Sequence, residues 1–169
     1  MKHTLALLFF LACITRIFAT QQQTDLLIVE KDTFHLKTFP LENLKFTTRP
    51  FGNTRRTAPS TSCWRGYRAV WKIEDNKLYL EKIIRCNYDS KTTEQDIKEL
   101  FDLNGIKCEE KDGMILADWL TMSFYKLSKQ HFPNRICLAG ADIEKGDLKD
   151  KSLKLKIENG KVKLNRLEE

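Results

Sequence analysis

Few residues in this chain could do chemistry. Cys63, Cys86, Cys108 and Cys137 lie downstream of an apolar leader that holds the fifth cysteine, Cys13. The imidazoles outside the leader are His35 and His131. A cysteine hydrolase needs a thiolate beside a base. Cys63 precedes Trp64, but the flanks of known thiol proteases are missing, and local cysteine signatures do not transfer between families. The chain has no Cys-x-x-Cys or His-x-x-x-His pair to build a zinc knuckle. It has no glycine-rich loop to cradle a phosphate. No catalytic residue, metal site or cofactor is therefore assigned. With 23 acids, carboxylate pairs are uninformative, but Asp118 stands out between Ala117 and Trp119 inside an apolar run. A buried acid needs a partner, and Arg65 or Arg68 could supply it. Asp118 then reads as an anchor for the neighbouring hairpin in preference to a catalytic acid, because structural ion pairs perturb carboxylates as active sites do.

The arginines suggest binding. Arg49, Arg55, Arg56, Arg65 and Arg68 interleave with Phe51, Trp64 and Tyr67. Arginine beside aromatic rings grips carboxylates and protein partners better than lysine does. Arg55, Arg56, Arg65, Tyr67 and Arg68 are expected to form one exposed surface for a protein or an anionic ligand. The plainer alternative is a solvated loop with a few salt bridges. The lysines at 154, 156, 161 and 163 read as the wet face of a sheet, where they resist edge-to-edge aggregation.

The element that must position these groups is a hairpin over Ser62–Ile83. Tyr67, Ala69, Trp71 and Ile73 share one face at period two, as do Leu78, Leu80 and Ile84 beyond a tight turn at Asp75-Asn76. If Glu74 opposes Lys77, Arg65 falls opposite Cys86. A small bulge or fraying near Gly66 would then let Cys63 and Cys86 bond. Cys108–Cys137 would be the second bridge, and four reduced buried thiols are the alternative.

Shorter runs around Lys31-Asp32 form an N-terminal hairpin. Residues 45–62, rich in proline and serine, form a long loop. One amphipathic helix is expected over Thr93–Leu103, with Thr93 as N-cap, Asp96 three residues on, and Ile97, Leu100, Phe101 and Leu103 along its apolar side. Met114–Leu120 and Met122–Leu127 read as strands, and residues 131–147 are poorly patterned. Around Asn159-Gly160, Leu153, Leu155, Ile157, Val162 and Leu164 alternate with charged residues, a strong hairpin signal. The sum is a single small α+β domain, mainly antiparallel sheet, with one helix.

Residues 1–19 carry a short positive start and an apolar core too short to span a bilayer, so they read as a signal peptide cleaved after Ala19. The domain is then residues 20–169, exported to the periplasm or beyond, with no transmembrane segment. Phe10-Leu11-Ala12-Cys13 is the lesser alternative, a lipobox that would anchor the protein through Cys13. The formal charge is +6, and losing Lys2 and Arg16 lowers it to +4. That excess falls short of a nucleic-acid-binding stripe.

Three blocks resemble a family of small exported bacterial proteins without an assigned activity. They are Asp25–Leu41, the hairpin block centred on Cys63-Trp64-Arg65-Gly66-Tyr67 and Leu78-Tyr79-Leu80, and Ala117-Asp118-Trp119 with the terminal hairpin around Gly160-Lys161-Val162. The family's glycines after the Asp-Trp pair are missing from 120–131. The resemblance implies a fold and no catalytic residues. The leading expectation is thus an exported, non-enzymatic binding protein. A small periplasmic hydrolase and an immunity or inhibitor-type protein are the alternatives.

Overall fold

The computed structural model describes residues 20, 22–52, 60–86, 93–126, 137–141 and 153–166. The leader with Cys13, the arginines at 55 and 56, and His131 lie outside them. Its centre is the aromatic hairpin, β3 (Tyr67–Glu74) and β4 (Lys77–Arg85). Glu74 opposes Lys77, as alternation predicts. Asp75 and Asn76 both take positive φ, at 49° and 56°, the backbone of a primed turn whose twist matches that of the strands. The register shifts opposite Val70/Trp71, where Val70 faces Lys82 but Trp71 faces Leu80, so Glu81 is an extra residue. An inserted residue reverses the inside–outside phase beyond it. Ile83 is therefore fully buried while the expected Ile84 is only half-buried.

β1 (Asp25–Val29) and β2 (Asp32–Leu36) form the N-terminal hairpin, with its turn one residue earlier than the sequence suggests. β1 lies parallel to β3, pairing Leu26 with Val70. Alternation marks a strand's buried face but not its direction, so this pairing was not foreseeable from periodicity. β5 (Glu110–Lys111) and β6 (Met114–Leu116) make a small hairpin, followed by β7 (Met122–Lys126), β8 (Cys137–Ala141), β9 (Leu153–Glu158) and β10 (Lys161–Arg166). β8 falls in the stretch read as unpatterned, because Cys-Leu-Ala-Gly-Ala lacks the branched and aromatic residues that mark strands. The ten strands run in the order β10-β9-β7-β8-β2-β1-β3-β4-β6-β5 and are mostly antiparallel. The sheet curls into a half-barrel, and Lys161 of β10 pairs back onto Lys77 of β4.

The last hairpin behaves as its sequence implies. Leu155, Ile157 and Val162 are buried, and Lys161 and Lys163 face water. Its turn is wedged into the fold. Gly160 N donates to Leu120 O, and Gly160 O accepts from Leu78 N. A Cβ on Gly160 would stand 3.0 Å from the Ala117 backbone, at a φ of +73°.

Among the described residues one α-helix, α1, spans Ile97–Leu103. Asp96, not Thr93, caps it by accepting from Glu99 N at 2.8 Å. Residues 93–95 are instead bound to β4: Arg85 N donates to Thr93 O and Gln95 N to Ile83 O. Pairing with a strand edge thus overrides the capping signal at Thr93. Ile97, Leu100 and Phe101 face the core, while Leu103 is exposed. Phe101 meets Phe46 edge-on at 5.5 Å and Trp119 at 5.4 Å, and Trp119 in turn leans on Trp71. Burying a ring of this size stabilises the fold by about 1.5–3 kcal/mol.

Candidate functional site

The residues expected to bind divide into an inside and an outside. Arg65 is buried, and its partner is Asp25, the first residue of β1, not Asp118. Asp118 is exposed, because the strand expected there ends at Leu116 and 117–120 form a turn against Gly160. Asp25 Oδ1 accepts from Arg65 at 3.0 Å and from Ala69 N at 3.1 Å, and Oδ2 lies 3.5 Å from Trp71 Nε1. Arg65 also donates to Gln23 O at 2.9 Å, and its guanidinium stacks on Phe39, 3.6 Å from the ring centre. Burial pushes the Asp25 carboxyl above the usual aspartate range, against the opposing pull of Arg65.

Tyr67 is buried as well. Its hydroxyl donates to Glu42 Oε1 at 2.6 Å, and Arg49 donates to the same oxygen at 2.7 Å. Desolvation, then the Glu42 carboxylate, raise the phenol far above its ordinary pKa and hold it as a neutral donor. Groups sealed from water in this way cannot grip a dissolved ligand. Arg65 and Tyr67 are therefore corrected from surface binders to internal anchors of the hairpin entrance.

Asp25 was missed, although a signal existed. It shares the period-two phase of Leu27, so it points inward with the β1 core residues. An acid at the start of a strand reads more naturally as part of a turn.

The outside is built on a short 3-10 turn, Thr61–Cys63, stapled by the Cys63–Cys86 disulfide. The expected first bridge is thus present. The bulge that sets its register lies opposite Val70/Trp71 and not near Gly66, and it brings Cys86 N onto Gly66 O. Cys108 is a free thiol, so the expected bond to Cys137 is not formed in this structure. Five strands of the sheet separate β8, which starts at Cys137, from β5, which Cys108 just precedes.

Between buried Cys63 and buried Arg65, Trp64 is forced outward and is 51% exposed. Its backbone N–H is tied to Gln22 Oε1. Arg68 is half-buried, and its Nε donates to Thr24 O at 3.0 Å. Arg49 is half-buried against Glu42. His35 is half-buried, with Nδ1 2.9 Å from Thr24 Oγ1. Among the described residues, no three His, Cys, Asp or Glu side chains gather to hold a metal, and no helix is long and apolar enough to cross a membrane. No family model, curated protein or solved structure matches this chain, so its functional reading rests on the geometry of this turn.

Proposed function

We propose that the protein is an exported, non-enzymatic binding protein whose partner is another protein, engaged at the stapled turn around Trp64 and the adjoining segment that carries Arg55 and Arg56. One observation carries the reading. A large aromatic ring is held in water at a point where both sequence neighbours are buried and the backbone is fixed. Tryptophan and arginine dominate the energetics of protein interfaces, and a rigid aromatic anchor loses little entropy on docking. Removal of residues 1–19 and membership of the family of small exported bacterial proteins belong to the same proposal.

The test is capture from the exported protein fraction of the native host by immobilised residues 20–169. Trp64→Ala is expected to weaken capture of a specific partner by about tenfold or more while leaving the melting temperature nearly unchanged. Arg55→Ala with Arg56→Ala weakens it less. Equal recovery by wild type and Trp64→Ala places the partner surface elsewhere and overturns the reading.

A further inference from the structure

The turn that presents Trp64 also holds the N-terminal segment, and a single covalent bond fixes that turn. Gln22 Nε2 donates to Thr61 O at 2.7 Å, and Gln23 N donates to Ser62 O at 2.7 Å. Trp64 N returns a bond to Gln22, and Arg65 reaches Gln23 O. Gln23 Oε1 lies 3.4 Å from Cys86 Sγ. Within the turn itself the backbone bonds are local, Cys63 N to Ser60 O and Gly66 N to Cys63 O. At its far end the turn is held by the buried Arg65–Asp25 pair and the Cys86 N to Gly66 O bond, whereas the part from Ser60 to Trp64 is tied to the sheet's end through the Cys63–Cys86 disulfide. The sheet does not depend on the turn in the same way, since β1 is paired along β3 from Leu26 to Val29 and β3 runs against β4 from Tyr67 to Glu74.

We propose that the Cys63–Cys86 bond is a redox latch: closed, it orders residues 22–23 and 60–64 as one unit that presents Trp64, and open, it releases that unit while Arg65 stays paired with Asp25 and the sheet stays folded. Closure joins the two thiols as a disulfide and passes two electrons and two protons to a low-molecular-weight disulfide, which leaves as two thiols. A thiol reductant reverses the step. The protein would then expose its binding turn in ordered form only in an oxidising compartment. The functional consequence rests on the Trp64 reading above, whereas the latch itself needs no partner to be observed.

Hydrogen exchange read by mass spectrometry tests it on residues 20–169, oxidised and after treatment with a small phosphine reductant, beside a Cys63→Ser/Cys86→Ser variant. Peptides holding the amides of Gln23, Cys63, Trp64 and Gly66 are expected to exchange about tenfold faster or more once the bond is open. Peptides from β4 around Leu78–Ile83 and from the Asn159-Gly160 hairpin are expected to keep their protection. The variant decides the matter if the reductant does not reach the buried sulfurs. Unchanged exchange at the turn, or loss of protection everywhere at once, overturns the latch. Loss of partner capture by Trp64→Ala in oxidised protein is read separately, so failure of the latch and failure of the binding reading remain distinguishable.

Discussion

Two charged clusters frame the central hairpin, one at each end. At the entrance Arg65 meets Asp25 at 3.0 Å, with both side chains sealed from water. At the far turn Lys111 meets Glu74 and Asp75, each at 2.8 Å, and Lys72 meets Glu74 at 2.7 Å, all with access to solvent. The contacts are of similar length, yet their energetic weight differs. Water screens the outer cluster and can replace each partner at little cost. Inside, neither ion can be left alone, because no solvent is available to take the place of the missing partner. Contact distance thus says little about stability until burial is known.

The sharpest way to break this comparison is to remove one buried partner. Arg65→Met is expected to cost about 3–5 kcal/mol in denaturant unfolding, since it strands the Asp25 carboxylate. Asp25→Leu with Arg65→Met should recover only part of the loss, because Ala69 N and Trp71 Nε1 also lose their acceptor. A cost for Arg65→Met below about 1 kcal/mol would erase the distinction between the clusters. Opening the disulfide should come next, at about 2–5 kcal/mol for the Cys63→Ser/Cys86→Ser variant.

The same contrast extends to two turn glycines with similar positive φ. Gly160→Ala meets the Ala117 backbone at 3.0 Å, whereas Gly113→Ala meets nothing within 4 Å. Gly113→Ala should therefore cost only the left-handed conformation, about 1–2 kcal/mol, and Gly160→Ala more than that. Equal midpoints for the two variants would show that the wedge around Gly160 relaxes freely.

Acid separates the clusters by sign. Glu74 is held down to about 2, first by Lys111 and then by Lys72, from an ordinary 4.5. Its contribution is complete above pH 4.5 and fades as pH falls toward 2. Asp25 is raised above 3.8 by burial, so the folded form takes up its proton before the unfolded one does. Stability then rises as pH falls through that window. Glu74→Gln should flatten the acid-side loss, and Asp25→Asn should remove the opposing slope. Difference profiles of the same sign for both variants would break the comparison. The smallest effect is expected from Lys111→Ala, a midpoint shift close to replicate scatter and smaller still at high salt.

Local signals in the sequence carry much of this fold. Asp75-Asn76 and Asn159-Gly160 announce their turns because both residues of each pair tolerate positive φ, and Ile97, Leu100 and Phe101 announce the buried side of α1. The parts that were not legible depend on the pairing of distant segments. The bulge at Glu81 exchanges Ile84 for Ile83, residues 93–95 leave the helix for the edge of β4, and β1 runs parallel to β3. At the site, Cys63–Cys86 followed from the hairpin register, but Arg65 and Tyr67 look like surface residues until Asp25 and Glu42 are placed beside them. No periodicity links residues 40 and 25 positions apart.

The seam between Lys77 and Lys161 has a kinetic consequence. Leu78 N finds its acceptor in Gly160 O, and Val162 N finds Asn76 O, so this end of the central hairpin is completed only by residues far downstream in the chain. Contacts this distant in sequence are slow to form, because the loop must close before they repay its entropy. Until then, the start of β4 stays an open edge beside apolar side chains, the kind of surface on which nascent chains associate with one another. A ribosome-stalled or truncated chain ending before residue 153 should therefore associate with itself more readily than one that runs through residue 169. Sedimentation of the two at equal concentration would reveal the difference.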